Sequence, residues 1–190
     1  MVFFMGNSRM NMGHEAAEWM YSAPASYPEP RVIRPNQYYA QIFQEILSGP
    51  ASKQRAVAQY SHHSRALSRR YSSVSDTLQR ISEVETRHIQ LALKVVRLLE
   101  GNALGQIASP GQREYPIYRG KDLCDRLAAD LHMERLIINA CKAVQAIVED
   151  PFVLLLVERI MQDDEAHVAT LSRLVRETCL HHAEAARENI

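Results

Sequence analysis

No stretch of this sequence holds the roughly 18 consecutive apolar residues that a membrane-crossing helix needs, and Met1 to Met5 show no basic segment leading into a sustained apolar run. A soluble, non-secreted protein that avoids the membrane is expected. An excess of one charge is missing too: Lys plus Arg and Asp plus Glu stand at 22 each. That balance argues against nucleic acid as a partner and against an acidic, solvating tail. Cysteine is sparse, and Cys124, Cys141 and Cys179 form no C-x-x-C pair and fall in segments of helical periodicity. Neither a zinc knuckle nor a disulfide framework is indicated, so a reducing, cytoplasmic location is the reading. Strand signals are almost absent, because β-branched residues recur at helical spacing and no alternating run is bounded by hairpin dipeptides. The fold class is all-α.

What is present is 190 residues with 46% hydrophobic content, enough for one domain with a core that needs no staples. Residues 1–36 scatter Gly6, Gly13, Pro24, Pro28, Pro30 and Pro35 among Met, Ser and Asn, the composition of a flexible N-terminal tail. Residues 37–190 carry the periodic pattern of a four-helix bundle. Its first helix runs from Gln37 to about Arg69, with Gly49 and Pro50 placed to break it in two. Ser72, Ser73 and Ser75 can cap a second helix, which Gly101 stops after Glu100. Residues 101–120, with Pro110, Gly111 and Pro116, form the one long loop, where a crossover would run. A third helix spans Lys121 to Val148, and Asp150 before Pro151 starts a fourth. So short a connection makes helices three and four antiparallel neighbours.

Ionisable groups interrupt the apolar seams near their middles. The second helix reads Leu78, Ile81, Glu85, His88, Ala92, Val95, Leu99; the fourth reads Val153, Val157, Ile160, Asp164, His167, Leu171, Leu174; the third sets Glu134 among Leu127, Leu131, Ile138 and Cys141. A charge in such a seam costs several kcal/mol unless it is paired or binds a metal. Glu85 with His88, and Asp164 with His167, each lie three residues apart on one helical face. Two carboxylate-x-x-His pairs plus inward acids match the di-metal carboxylate pattern of helical bundles, with the oxygen and imidazole donors that iron or manganese accepts. The plainer reading of each pair is a polar face turned to solvent, and the apolar residues on either side weigh against it. The adjacent His62–His63 and His181–His182 point about 100° apart on a helix and are read as surface residues. Asp164-Glu165-Ala166-His167 also spells a helicase box, but no phosphate-binding loop or βαβ alternation accompanies it.

The stretch Tyr38 to Leu174 resembles the ferritin-like superfamily, specifically the rubrerythrin and manganese-catalase-like proteins with their spore-coat branch. The resembling pieces are Tyr39-Ala40, Ser52, Ala56-Val57, Gln59-Tyr60, Glu85-Thr86-Arg87-His88, Asp130-Leu131 with Glu134-Arg135, Asp150-Pro151, and Glu158 through His167. The resemblance implies a bundle that handles hydrogen peroxide or dioxygen at a two-metal centre of iron or manganese. It also implies Glu85 and Asp164 as bridging carboxylates, Glu134 as a terminal one, His88 and His167 as one imidazole per metal, and a homo-oligomer.

One departure outweighs these matches. Where the family pattern has a Glu just after Ser52, this chain has Lys53 on the seam of Val57 and Tyr60. Three carboxylates less one ammonium leave minus two, which suits one divalent ion or none. An ammonium against carboxylates keeps its proton and fills roughly the space of a metal. Two functions follow: a peroxide-consuming oxidoreductase of catalase or peroxidase type with a reduced, mono-metal centre, or a non-catalytic, spore-coat-type bundle in which a Lys–carboxylate network replaces the metals. Tyr60 is expected as a core aromatic whose hydroxyl bonds to the polar centre.

Overall fold

A computed structural model describes residues 21–100 and 116–180. Five α-helices make the bundle: α1 (Gln37–Ser48), α2 (Lys53–Leu67), α3 (Ser72–Glu100), α4 (Leu123–Gln145) and α5 (Pro151–Val175), followed by a π-helical turn, Arg176–Leu180. The described residues contain no strand. Helices α1 and α2 are the two pieces of the expected first helix, and both pack along α3. Most of the crossover, residues 101–115, and both His181 and His182 lie outside the described residues.

The break between α1 and α2 has a local cause. Gly49 closes α1 with its amide on the Glu45 carbonyl at 2.9 Å, and a Cβ there would stand 2.5 Å from that same carbonyl oxygen. Pro50 then offers no amide to continue the helix. Ser52 restarts the chain as N-cap, its hydroxyl accepting from the Arg55 amide. Lys53 is thereby the first residue of α2, and it is buried. Pairs of serines, Ser61 with Ser82 and Ser64 with Ser75, join α2 to α3 at 3.0 Å each. At the other end Asp150 caps α5 over the Phe152 and Val153 amides, with Pro151 at the first helical position.

The buried faces of α3 and α5 follow the seams of the sequence, apolar residues running above and below a polar level. Leu78, Ile81, Leu127, Leu156, Val153 and Leu171 are wholly buried around it. Two expectations require correction. Cys124 and Cys179 form a disulfide, Cα atoms 5.7 Å apart although 55 residues separate them in sequence. Antiparallel α4 and α5 bring the start of one beside the end of the other, so the pairing belongs to the packing and left no local motif. Only Cys141 is free among the described residues, and the argument from cysteine for a reducing compartment falls. His63, expected at the surface, is fully buried; the helix turns it inward while its neighbour His62 stays partly exposed.

Residues 21–36 form no helix or strand and lie against the bundle. Tyr21, Tyr27 and Val32 pack on the core, and the amides of Ala23 and Ile33 donate to Asp163 and Asp150. Residues 1–20 are outside the described part.

Candidate metal centre

The polar level gathers side chains from four helices. Lys53 enters from α2, Glu85 and His88 from α3, Glu134 from α4, and Asp164 and His167 from α5; none is more than 1% exposed. The Lys53 ammonium donates to Glu85 Oε1 at 3.1 Å and to Asp164 Oδ1 at 2.5 Å. It also stands 3.0 Å from Glu85 Oε2, without the direction of a hydrogen bond. Burial works against this charge, but the Asp164 and Glu85 carboxylates outweigh it and hold the ammonium above the ordinary lysine range. Glu85 is driven well below the carboxylate range: burial opposes its charge, and Lys53 with His88 overcomes that cost. Asp164 moves up, because burial and the neighbouring Glu85 charge together exceed the pull of Lys53.

Both imidazoles are held from outside and left open inside. His167 Nε2 lies 2.8 Å from the Tyr21 carbonyl, an acceptor only, so this nitrogen carries hydrogen. Its Nδ1 then faces Glu134 Oε1 at 3.2 Å and Glu85 Oε1 at 3.4 Å. A bare lone pair against two carboxylates is repulsive, so this nitrogen calls for a cation, a proton or a metal. With a proton there, His167 has its pKa pushed up to about 10: burial opposes the charge and Glu134 and Glu85 outweigh it. His88 repeats the arrangement. Its Nε2 meets Asp163 Oδ2 at 2.9 Å and the Tyr27 hydroxyl at 3.2 Å, and its Nδ1 faces Glu85 Oε2 at 3.5 Å and Asp164 Oδ1 at 3.6 Å. An outer carboxylate fixing an imidazole with its free nitrogen inward is the usual support of a metal-binding histidine.

Glu134 Oε2, Asp164 Oδ2, His88 Nδ1 and His167 Nδ1 are buried with no hydrogen-bond partner. One donor atom from each of Glu85, Glu134, Asp164 and His167 falls within 4.8 Å of all the others. Three carboxylate oxygens and one imidazole nitrogen fit a divalent ion such as manganese or iron. His88 is outside that quartet and faces the two carboxylates that Lys53 occupies.

No protein-family model and no curated protein matches this sequence. Solved structures do match. A crystal structure of a manganese catalase from Anabaena PCC7120 superposes with a TM-score of 0.69 at 16% identity, covering 78% of this chain and 75% of that one. The wild-type manganese catalase from Anabaena gives 0.69 at 14% identity, over 93% of this chain and 80% of that one. The chain has the ferritin-like bundle fold. At such identity the likeness concerns the backbone, and the centre has to be judged on its own atoms.

Those atoms put all seven of the singled-out side chains in the interior. Tyr60 donates to Glu134 Oε1 at 2.9 Å, taking up one oxygen of that acid. Sequence reasoning passed over the supporting groups. Asp163, next to Asp164, takes hydrogen bonds from the Ser22 hydroxyl, the Ala23 amide, the Tyr27 hydroxyl and Arg159 besides facing His88. Burial opposes its charge, yet His88 first, then Tyr27 and Arg159, keep it far below the ordinary aspartate range. Asp130 takes up Gln59 and His63. Both acids stood inside the recognised motifs, and their separation from Asp164 by one residue and from Glu134 by four was the available signal.

Proposed function

We propose that this protein is a metal-binding ferritin-like bundle related to peroxide-consuming di-metal oxidoreductases, with a centre reduced to one divalent ion at Glu85, Glu134, Asp164 and His167. The Lys53 ammonium takes the second position, beside His88. The observation that supports this best is the pair of bonds from Lys53 Nζ to Glu85 and Asp164, next to a donor quartet that still has unpartnered atoms. The charge count agrees: three carboxylates less one ammonium leave minus two, which one divalent ion balances.

When bound, manganese or iron would supply the electron exchange that disproportionation of hydrogen peroxide requires. The chain's own groups orient the donors: the Tyr21 carbonyl fixes His167, Asp163 fixes His88, and Tyr60 fixes Glu134. The test is elemental analysis of protein purified without chelator, followed by oxygen evolution from added peroxide after loading with manganese. One ion per chain with turnover is the expected result. Two ions per chain overturn the role given to Lys53.

A second reading has an observation of its own. Lys53 and protonated His167 bring two positive charges to the three carboxylates, so the cluster nearly neutralises itself. On that basis the bundle is a non-catalytic structural component, of the spore-coat type the sequence resembles, held in register by a Lys–carboxylate network. No bound metal and no affinity for added manganese or iron would favour it over the first.

A further inference from the structure

A cavity of about 470 Å³ opens between the N-terminal arm and α3. Residues 21–27 form one wall; Arg80, Val84 and Arg87 of α3 form the other, and Arg159 of α5 closes the floor. The three arginines differ in what they have left to offer. Arg159 is used up, its guanidinium bonded to Asp163 and to the carbonyls of Ala23 and Ala25. Arg80 and Arg87 are exposed, and neither has a carboxylate within ion-pair distance among the described residues. Arg87 lies over one side of the Tyr27 ring, 4.7 Å from its centroid, with Arg159 stacked on the same ring at 4.3 Å. Glu83, the one acid in the lining, is hydrogen-bonded to Gln79. The remaining lining is mixed: Ser22 and Ser26 are polar, and Pro24, Ala25, Val84 and the Tyr27 ring supply an apolar patch.

Such a space has the size of a small-molecule site, with an apolar patch set beside charged groups that can fix orientation. Two unpaired guanidinium forks select an anion, and carboxylate is the anion whose planar oxygens a fork can grip in pairs. The apolar patch of Pro24, Ala25, Val84 and the Tyr27 ring beside the two arginines favours a carboxylate with a small hydrocarbon body over a bare inorganic ion. We propose that this cavity binds a small organic carboxylate, its charge between Arg80 and Arg87 and its body against Pro24, Val84 and Tyr27.

The position gives the site a consequence, and this half rests on the metal-binding reading above. The wall that would close on the ligand is the segment that holds both histidines: Tyr21 through its carbonyl on His167, Tyr27 through its hydroxyl near His88 and Asp163. A ligand that steadies residues 21–27 therefore steadies the two imidazoles. By linkage, ligand and metal must alter each other's affinity by the same factor.

The experiment is calorimetric titration of metal-free protein with benzoate, with benzamide and inorganic phosphate as comparison probes. Saturable one-to-one binding of benzoate, weaker by about tenfold or more for the uncharged amide and in the double variant R80Q/R87Q, is expected. Loss of the Arg87–Tyr27 ring contact should cost the double variant little stability, and R80Q, which leaves that contact in place, is the second variant, expected to weaken benzoate in the same direction. No saturation with benzoate, equal binding of benzamide, or undiminished binding in R80Q/R87Q overturns the site; phosphate binding as tightly as benzoate overturns the organic ligand. Manganese titration with and without benzoate reads the coupling, which should vanish in R80Q/R87Q. If no manganese binds at all, the metal reading has failed and the benzoate titration still decides the cavity.

Discussion

On one face of α4, a helical turn apart, Asp130 and Glu134 anchor two buried polar clusters that end differently. Around Asp130 each group has a partner. Gln59 donates to its carboxylate at 2.8 Å, His63 Nδ1 lies 2.8 Å away, and the far nitrogen of His63 donates to the Tyr118 carbonyl at 2.6 Å. The Tyr118 amide in turn donates to Gln59, so this cluster clamps the chain after the crossover onto α2 and α4. Around Glu134 the acids and imidazoles face one another with polar atoms left over. Burial is the same in both places, and satisfaction is what differs. A closed network is a structural device; one that keeps acceptors and lone pairs converging in a dry interior is built around a cation.

Removing the internal cation tests that contrast hardest. In metal-free protein Lys53→Ala takes the ammonium from buried Asp164 and leaves Glu85 only the imidazoles, and should cost about 3 to 5 kcal/mol by urea denaturation, with part of the loss restored by added manganese. An unchanged midpoint would mean the ammonium does not hold the cluster together.

Acidity comes next. His167 binds its proton more tightly in the folded chain than in the unfolded one. Its contribution is therefore whole below pH about 6.5 and is lost as pH rises through about 10. Asp164, also raised, loses its contribution earlier, as pH rises from the usual aspartate range through about 7, whereas Glu85 and Asp163, both lowered, lose theirs as pH falls below the usual carboxylate range. The melting temperature of metal-free protein should thus decline from neutrality to pH 10, and manganese, which replaces the His167 proton, should flatten that decline. A flat profile without metal would be inconsistent with a protonated His167.

The Asp130 cluster supplies the control. Asp130→Ala strips partners from Gln59 and His63 and should cost about 1 to 3 kcal/mol, while metal stoichiometry stays as in the wild type. Loss of metal in this variant would show that the two clusters work as one. Smallest of all, Tyr60→Phe removes a single bond to Glu134 and should cost about 1 kcal/mol, with manganese affinity changed less than tenfold. A larger drop in affinity would make Tyr60 part of the ion's holding frame.

Much of the fold was legible because it is local. Seams at three- and four-residue steps announce buried faces, Gly49-Pro50 announces a break, and Asp150-Pro151 announces a start, each from chemistry within one or two turns. Glu85, His88, Glu134, Asp164 and His167 were legible for the same reason, as charges at matching depth in apolar stripes. Lys53 was harder, since its rotation depends on where Ser52 restarts the helix. Asp163 and His63 were missed, because a polar residue beside a seam counts as solvent-facing until a partner from elsewhere in the chain covers it.

The amino-acid order alone determined which faces of the helices are buried and at what height the acids and imidazoles lie, because helical periodicity carries that information without reference to any distant residue. Tertiary structure decided three things: that Cys124 reaches Cys179, that His63 meets Asp130, and that residues 21–27 seal the outer sides of both central histidines. Each joins positions more than fifty residues apart, and only the packing of antiparallel helices and the docking of the arm bring such positions within bonding distance.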